Sequence, residues 1–424
     1  MSLWVSAALV AAFVASAPVP ATANEVGGEI GGVDVKWSEG PEYPMGIQDS
    51  AFGVVGGLVV SAGGFTRHPK DVVKRYPDAF GGARDGFTAL TFVFDPANPT
   101  AGWIRISDIP GPPRQATLAV VVGNALYAIG GFNYTAPYTY QTTYRLSREQ
   151  DRWSWTNVGA DVPWPVCQGG AVAIGSKIYV VAAADYFAPS GVTERNFFTE
   201  AGRGQSPVGR ALLVLDTRNA GAGWKRLADL PGVSRAYASV GAVAGKIYVL
   251  GGLHAPLRSG ATGGVSDLNE WYFNAEGNWR YDPPTDRWDP LAPTRDNANS
   301  RAVVVSDRYL VLLGGYKYSN TWSVDGTRSY VYSSEETLAN ERQRTVDAAM
   351  GAPALMRAEV SVYDTVTGRQ ASLSPLLDPS AWPMGVADGN SIYCLGGEGG
   401  KRLWHPATFQ IGRLELPASR QATR

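Results

Sequence analysis

The sequence has few cysteines and histidines and almost no net charge. Two cysteines and three histidines occur in 424 residues, and 37 basic residues nearly balance 38 acidic ones, for a net charge of −1. So few cysteines exclude a disulfide-based scaffold. The balanced charge argues against nucleic acid or an anionic membrane surface as a partner. Beyond the first residues no apolar run is long enough to cross a bilayer, so we expect no membrane span in the mature chain.

Glycine, proline and aromatic residues are abundant instead. The chain has 50 glycines, 28 prolines, 13 tryptophans and 20 tyrosines, and 45% of its residues are hydrophobic. A disordered chain would contain less apolar residue and more net charge. The composition therefore indicates a globular protein rich in turns and aromatic packing.

The amino terminus has the pattern of a targeting segment. Residues 1–23 carry no charge, residues 9–14 are apolar, Pro18 and Pro20 follow, and Ala21-Thr22-Ala23 gives the small-x-small pattern of a cleavage site. The usual basic start is missing. We predict a signal peptide over 1–23, a single mature domain over 24–424, and a periplasmic or secreted protein.

A short apolar strand that ends in a glycine pair recurs along the chain. Five copies end at Gly63-Gly64, Gly130-Gly131, Gly251-Gly252, Gly314-Gly315 and Gly396-Gly397, and a degenerate sixth ends at Ala182-Ala183. A second strand and a turn follow, and they lead to Trp103, Trp153, Trp224 and Trp288 in four copies and to Gln370 in the fifth.

This pattern resembles the kelch repeat over almost the whole mature chain. The resemblance implies an all-β fold, a six-bladed β-propeller of four-stranded antiparallel blades around a central channel. The sixth copy lacks its fourth strand, and residues 33–38 with Trp37 can supply it. We therefore predict that an N-terminal strand closes the last blade. Cys167 and Cys394 then fall in opposite blades, so both are predicted to be free and buried.

Long insertions follow most of the repeated strands and must emerge on one face of a propeller. They cover residues 65–89, 185–209, 253–276 and 316–356. These loops and the shorter loop of the second blade carry the aromatic residues Phe65, Phe132, Tyr134, Tyr138, Tyr140, Tyr186, Phe187, Tyr316, Tyr318 and Trp322. Such rings could pack on the faces of a sugar, or could only pack the loops against one another.

The three histidines also follow strand ends. His68, His254 and His405 fall in three separate blades, so we expect no metal site and no other cofactor. His254 lies nearest to its strand end and is the best candidate for an acid-base group, with an ordinary loop residue as the alternative.

Polar residues precede the innermost strand of each predicted blade and should face the channel. They are Gln48, Asp49, Arg114, Gln115, Gln168, Arg235, Asp296 and Arg301. Several arginines at one pore could bind a carboxylate or a phosphate, or could be structural groups that bridge the blades.

Two stretches resemble the sialic-acid mutarotases (N-acetylneuraminate epimerases), which are exported kelch propellers. One runs from Trp103 to Gln115 and continues Ala-Thr, and the other is residues 395–401 with Glu398. That family opens and recloses a sugar ring with acid-base groups beside an arginine that holds the sugar carboxylate.

The resemblance has a gap at the catalytic position. The family's glutamate after the fourth-blade strand end is missing here, where Leu253-His254 stands, whereas Arg258 matches the family's downstream arginine. His254 and Arg258 are therefore the candidate catalytic residues, unless the activity is absent. The candidate ligand-binding residues are Arg114, Gln115, Gln168, Arg235, Arg301, Tyr316 and Glu398.

Three functions remain open from the sequence, because function depends on the site and not on the fold. The first is an exported propeller that binds a small ligand, a carbohydrate and in particular an anionic sugar, on its loop-rich face. The second is a sugar mutarotase or epimerase. The third is a propeller that binds a protein partner.

Overall fold

The fold is described from a computed structural model of the chain. The structure describes residues 30, 32–66, 69–79, 86–135, 137–187, 196–198, 208–254, 273–275, 277–294, 300–315, 321–322, 357–399 and 406–416. The predicted signal peptide over 1–23 lies outside the described residues and stays a prediction.

Six four-stranded antiparallel sheets form the six blades. From the innermost strand outward, blade 1 is Ala51–Val55, Leu58–Ala62, Thr91–Phe94 and Trp103–Arg105, and blade 2 is Leu118–Val122, Ala125–Ile129, Thr143–Glu149 and Arg152–Asn157. Blade 3 is Gly170–Ile174, Lys177–Val181, Leu213–Asp216 and Lys225–Arg226, and blade 4 is Ser239–Val243, Lys246–Leu250, Asn278–Asp282 and Arg287–Leu291. Blade 5 is Arg301–Val305, Tyr309–Leu313, Val360–Asp364 and Arg369–Leu373, and blade 6 is Met384–Asp388, Ser391–Leu395, Phe409–Glu415 and Asp34–Glu39.

The blades close into a ring. The innermost strand of each blade contacts those of the blades before and after it, and blade 6 contacts blade 1. The predicted six-bladed propeller is therefore confirmed. Each blade buries its apolar faces against its neighbours, which a lone sheet of four strands could not do.

Several short helices, turns and strands lie outside the six blades. They are the helix Pro69–Arg75, the 3₁₀ turns Pro99–Ala101 and Thr217–Ala222, and the strands Asp185–Phe187, Asn196–Phe198, Leu253–His254, Phe273–Ala275, Thr321–Trp322, Ser380–Ala381 and Glu398–Gly399. Strand Phe273–Ala275 pairs with Leu253–His254 and with Thr321–Trp322, so the insertions of blades 4 and 5 share one small sheet. No helix among the described residues is long and apolar enough to cross a membrane.

The predicted N-terminal strand closes blade 6. It pairs antiparallel with Phe409–Glu415 from Asp34 opposite Glu415 to Glu39 opposite Gln410. Val35 is fully buried, and a side chain at Gly412 would clash with the ring of Trp37, since its Cβ would lie 2.7 Å away. The strand is thus an integral part of the last blade.

The glycine pairs let one blade contact the next through backbone. A Cβ on Gly130 would lie 2.0 Å from the carbonyl oxygen of Val166, and the Gly131 N–H donates to that same oxygen at 2.8 Å. Gly130 has φ 65°, a region that favours glycine. In the degenerate copy Ala182 adopts φ 52° despite its side chain.

The repeat tryptophans join neighbouring blades, and one of them was assigned wrongly from the sequence. The indole N–H groups of Trp37, Trp103, Trp155, Trp224 and Trp288 each donate to a carbonyl that follows the outermost strand of the preceding blade. In blade 2 this residue is Trp155, which pairs with Leu146, and not Trp153 as predicted. Gln370 occupies the position in blade 5, opposite Tyr363, as predicted.

The aspartate at the end of the third strand holds the adjoining turns. In blade 5, Arg308 donates two hydrogen bonds to Asp364, at 2.8 and 2.7 Å. Burial by itself raises the pKa of Asp364, but the hydrogen bonds from Arg308 and Thr367 outweigh it and leave the pKa at about 2. In blade 4, Lys246 makes the equivalent contact with Asp282 at 2.7 Å.

Both cysteines are free and buried, as predicted. Cys394 lies in a hydrophobic cluster with Ile392 and Val35 between blades 5 and 6. Burial raises the pKa of its thiol to about 12. The thiols therefore serve as apolar filling of the core.

Candidate functional site

The four residues before each innermost strand, here called the lead-in segment, meet at one mouth of the channel. The third residue of this segment has a left-handed backbone in all five described cases, with φ between 49° and 56° at Asp49, Ala116, Gln168, Tyr237 and Trp382. Five non-glycine residues in this region at one repeated position are unusual, and such strain concentrates at functional sites. We call these five residues the mouth ring.

Backbone hydrogen bonds connect the mouth ring from blade to blade. The N–H of Ala116 donates to the Asp49 carbonyl at 2.9 Å, Gln168 to Ala116 at 3.1 Å, and Tyr237 to Gln168 at 2.9 Å. The backbone thus fixes the ring, and the side chains remain available for other contacts. A small cleft with a cavity volume of about 10 Å³, open to solvent, is lined here by residues of blades 1, 2, 3, 5 and 6.

One side of the mouth is formed by buried amides and one carboxyl group. Gln48, Gln168 and Asp49 are only 6%, 6% and 8% exposed. The Nε2 group of Gln48 donates to Oε1 of Gln115 at 2.9 Å and, more weakly, to Asp49 at 3.4 Å. The Oε1 atoms of Gln48 and Gln168 are buried without a hydrogen-bond partner. The described residues therefore leave these two buried carbonyl oxygens unsatisfied.

The pKa of the Asp49 carboxyl group is far above its ordinary value. Burial and, to a lesser extent, the negative charge of Glu398 raise the pKa of its carboxyl group, the charge of Arg301 only partly offsets both, and the resulting pKa is about 8. Arg301 acts on Asp49 through its charge, without a hydrogen bond. A buried carboxyl group with a shifted pKa in a pocket is a typical functional-site signal.

The other side of the mouth is an arginine on an aromatic pair. The guanidinium of Arg301, the first residue of the blade 5 innermost strand, lies 5.3 Å from the ring centre of Trp382, and Tyr237 packs edge-on against Trp382 at 4.9 Å. Gly385 leaves room for the arginine, because a Cβ there would lie 3.2 Å from Arg301 Cγ. Burial lowers the pKa of Arg301, although an arginine remains cationic. Its guanidinium forms no hydrogen bond with any residue that the structure describes.

Arg114 and Arg235 are placed differently. The guanidinium of Arg114 donates to the carbonyls of Pro112 and Gly130 and to Thr142, and it stacks on Tyr140 at 4.1 Å.

Arg235 is fully buried and donates to the carbonyls of Gly251 and Gly277 at 3.0 and 2.7 Å. Burial lowers its pKa to about 10. Neither Arg235 nor Arg114 lines the pocket beside Arg301. These two fit the structural alternative raised from the sequence.

The remaining predicted site residues lie at the same face or outside the described part of the chain. The backbone of Glu398 pairs with Ala381 in the lead-in segment of blade 6. Leu253 occupies the equivalent position in blade 4, opposite Ala236, and the next residue, His254, pairs through its backbone with Phe273. The other predicted positions, Arg258, Tyr316, Asp296, His68 and His405, lie outside the described residues.

The described loop aromatics of blades 1 and 2 pack against one another. Phe65, Phe87, Phe132 and Tyr134 form edge-to-face and tilted pairs with ring centres 4.6–6.3 Å apart. Tyr140 is covered by Arg114. The described loop aromatics therefore pack the loops against one another, which is the second of the two alternatives left open by the sequence.

Sequence reasoning missed the aromatic pair Tyr237 and Trp382. The signal that could have found them is their repeat position, since each stands two residues before an innermost strand, where Asp49 and Gln168 stand in other blades. Among the described residues no group of three or more histidines, cysteines or carboxylates is arranged to hold a metal ion.

Comparisons with known proteins agree with the repeat pattern. Over 226 residues the chain is 25% identical to Kelch-like protein 15 of Danio rerio, covering 52% of this chain and 33% of that protein. Kelch-like protein terF of Aspergillus terreus is 38% identical over 110 residues, 25% of this chain and 21% of that protein. The chain is a kelch-repeat β-propeller.

A second kind of relative covers a shorter stretch of the propeller. N-acetylneuraminate epimerase of Yersinia pestis is 33% identical over 115 residues, 26% of this chain and 27% of that protein. The chain thus spans a third or less of the length of each of these curated relatives. No family model matches it.

A solved structure supports the fold of the propeller. The protein described as "Structure of YjhT" superposes with a TM-score of 0.56 at 14% identity, over 89% of this chain and all of that one. At this identity the likeness concerns the fold alone.

Proposed function

We propose that the channel mouth of this propeller binds a small hydroxyl-rich ligand with a carboxylate, an acidic sugar. The observation that carries the proposal is that the Arg301 guanidinium, stacked on Trp382, and the buried Oε1 atoms of Gln48 and Gln168 make no hydrogen bond with the residues that the structure describes. An arginine fork pairs with a carboxylate through two parallel hydrogen bonds. The unpartnered Oε1 atoms of Gln48 and Gln168 accept hydrogen bonds from ligand hydroxyl groups.

The aromatic pair supports a sugar over a smaller acid. Trp382 lines the pocket beside Arg301, and Tyr237 packs edge-on against Trp382. The C–H faces of a sugar pack well on aromatic rings. Gln115, Gln168, Arg301 and Glu398 are the ligand-binding residues that we retain in this proposal. Arg114 and Arg235 are left out because carbonyl oxygens already occupy their donors.

Sugar mutarotation at the same mouth is the second candidate. It is favoured by the N-acetylneuraminate epimerase relatives and by the perturbed carboxyl group of Asp49, since ring opening needs acid-base groups near neutral pH. His254 and Arg258 remain the alternative catalytic pair. The pattern of residues 1–23 supports export, and the proposed location is therefore the periplasm or the extracellular space.

Arg301→Met tests the binding proposal. We expect N-acetylneuraminate to bind the wild-type protein and to lose about tenfold or more in affinity for the variant, because charged hydrogen bonds contribute about 1.5–3 kcal/mol each. Isothermal titration calorimetry measures both. Arg369→Met, at an exposed arginine on the outermost strand of blade 5, is the matched control and should bind as the wild type does.

Three outcomes with the same samples distinguish the candidate functions. Failure of the wild-type protein to bind any acidic sugar would contradict the proposal and favour a protein partner. Faster exchange of the sugar anomers in NMR spectra with the protein, abolished in the Asp49→Asn variant, would establish mutarotation. Binding without faster exchange would leave a binding protein.

A further inference from the structure

We propose that the carboxyl group of Asp49 is held in its uncharged acid form and, as a hydrogen-bond donor beside Arg301, selects acidic sugars over neutral ones. The selectivity rests on the proposed function, whereas the acid form concerns the ligand-free protein. Asp49 is thus proposed to determine specificity.

The hydrogen-bond inventory around Asp49 is the first argument. An ionised carboxylate needs several donors when buried. Among the described residues, the one hydrogen bond that the Asp49 side chain accepts is the 3.4 Å contact from Gln48, whose Nε2 also donates to Gln115 at 2.9 Å. Two neighbouring amide oxygens, of Gln48 and Gln168, lack donors. A proton on Asp49 adds a donor to this side of the mouth and removes an unpaired buried charge.

The position of Arg301 is the second argument. If Asp49 were ionised, a strong ion pair with Arg301 would be expected, yet the arginine stacks on Trp382 and makes no hydrogen bond to Asp49. The guanidinium is therefore left for a ligand. A neutral Asp49 does not compete for it.

Among the residues that the structure describes, two charged groups act on Asp49. Arg301 comes from blade 5 and Glu398 from blade 6, while the lead-in segments of blades 1 to 3 contribute the neutral Gln48, Gln115 and Gln168. Ionisation of Asp49 would add a second negative charge beside Glu398 and would repel a carboxylate.

The acidity of the group is consistent with this geometry. Burial and the charge of Glu398 raise the pKa of Asp49 to about 8, so the acid form predominates at neutral pH and disappears above it. The affinity for an acidic sugar is therefore expected to fall as the pH rises through this value. The affinity for a neutral sugar is expected to stay unchanged over the same pH range.

Titrations with N-acetylneuraminate and with the uncharged N-acetylmannosamine test the selectivity. Between about pH 7.5 and about pH 9.5, above the range in which histidine and carboxyl groups of ordinary pKa titrate, the wild-type affinity for the acid should fall about tenfold. Asp49→Asn, which keeps the shape and tolerates a left-handed backbone, should keep its preference at every pH. Asp388→Asn, at an exposed strand end in blade 6, should behave as the wild type does.

Infrared spectroscopy of the ligand-free protein tests the acid form without a sugar. The C=O stretch of a protonated carboxyl group should be present near neutral pH, disappear at high pH, and be absent from the Asp49→Asn variant. A missing band with binding intact would overturn the acid form alone.

The binding data decide the rest of the proposal. A pH-independent preference in the wild type, or a preference in Asp49→Asn that still falls with pH, would overturn the role of Asp49. A wild-type protein that binds no sugar at any pH would overturn the proposed function together with the selectivity, while the infrared band would still decide the acid form.

Discussion

An arginine at the channel mouth either ties the backbone together or remains available to a ligand, and the carbonyl oxygens around its guanidinium decide which. Arg235 lies among the carbonyls of Val233, Gly251 and Gly277, and its burial is complete. Arg301 meets the face of an aromatic ring instead. The same residue type therefore has two different roles within one pore.

This difference predicts unequal stability losses on truncation. Arg235→Met should lower the free energy of unfolding by about 2 kcal/mol more than Arg301→Met, because it leaves buried carbonyl oxygens without donors. Urea unfolding followed by circular dichroism measures both variants. Equal losses, or a larger loss for Arg301→Met, would contradict the structural role of Arg235.

At the scale of the element, the link between blades is the indole N–H of the outermost strand. Trp153 and Trp155 stand two residues apart on one strand and therefore share a face. The Trp155 indole donates to the Ser107 carbonyl at 2.9 Å, whereas Arg148 covers the ring of Trp153.

The two tryptophans form a matched pair for mutation. Trp155→Phe should destabilise the protein by about 1 kcal/mol through the lost hydrogen bond. Trp153→Phe, which keeps the ring and loses no hydrogen bond to the described residues, should change stability by less than about 0.5 kcal/mol. Chemical denaturation of both variants tests the assignment, and the reverse order would restore Trp153 as the repeat residue.

The same pair shows which features of the fold could be predicted from the sequence and which could not. Glycine pairs and tryptophans repeat, so the blade count and the closing strand could be predicted. The choice between Trp153 and Trp155 could not, because residues two apart share a face and only pairing with Leu146 distinguishes them.

The candidate site shows the same limit. The polar lead-in residues were predictable from their place before each strand. That backbone carbonyls accept the hydrogen bonds of the Arg235 guanidinium could not be predicted, because one of them belongs to Gly277, 42 residues further along the chain. Tyr237 and Trp382 become neighbours only through the curvature of the ring.

For the whole molecule, closure depends on the N-terminal strand of blade 6. Val35 packs in the cluster between blades 5 and 6, the Trp37 indole donates to Ser374, and the Asp34 carboxylate accepts hydrogen bonds from Ser374. These contacts span more than 330 residues of sequence, so the strand fastens the two ends of the ring.

Removal of the strand should therefore destabilise the entire propeller. A variant without residues 1–40 should melt about 10 °C or more below a variant without residues 1–29, which keeps the strand. Differential scanning calorimetry on both measures this. An unchanged melting temperature would mean that blade 6 does not need its fourth strand.

The backbone hydrogen bonds of the mouth ring have a consequence for the evolution of the protein. Main-chain atoms hold Asp49, Ala116, Gln168 and Tyr237 in place, so the scaffold does not depend on which side chains stand there. Each of the five blades whose lead-in segment is described offers one such position to the pore, subject to a left-handed backbone that disfavours β-branched residues. Single substitutions at these places can therefore alter the chemistry of the mouth one blade at a time while the scaffold is inherited unchanged.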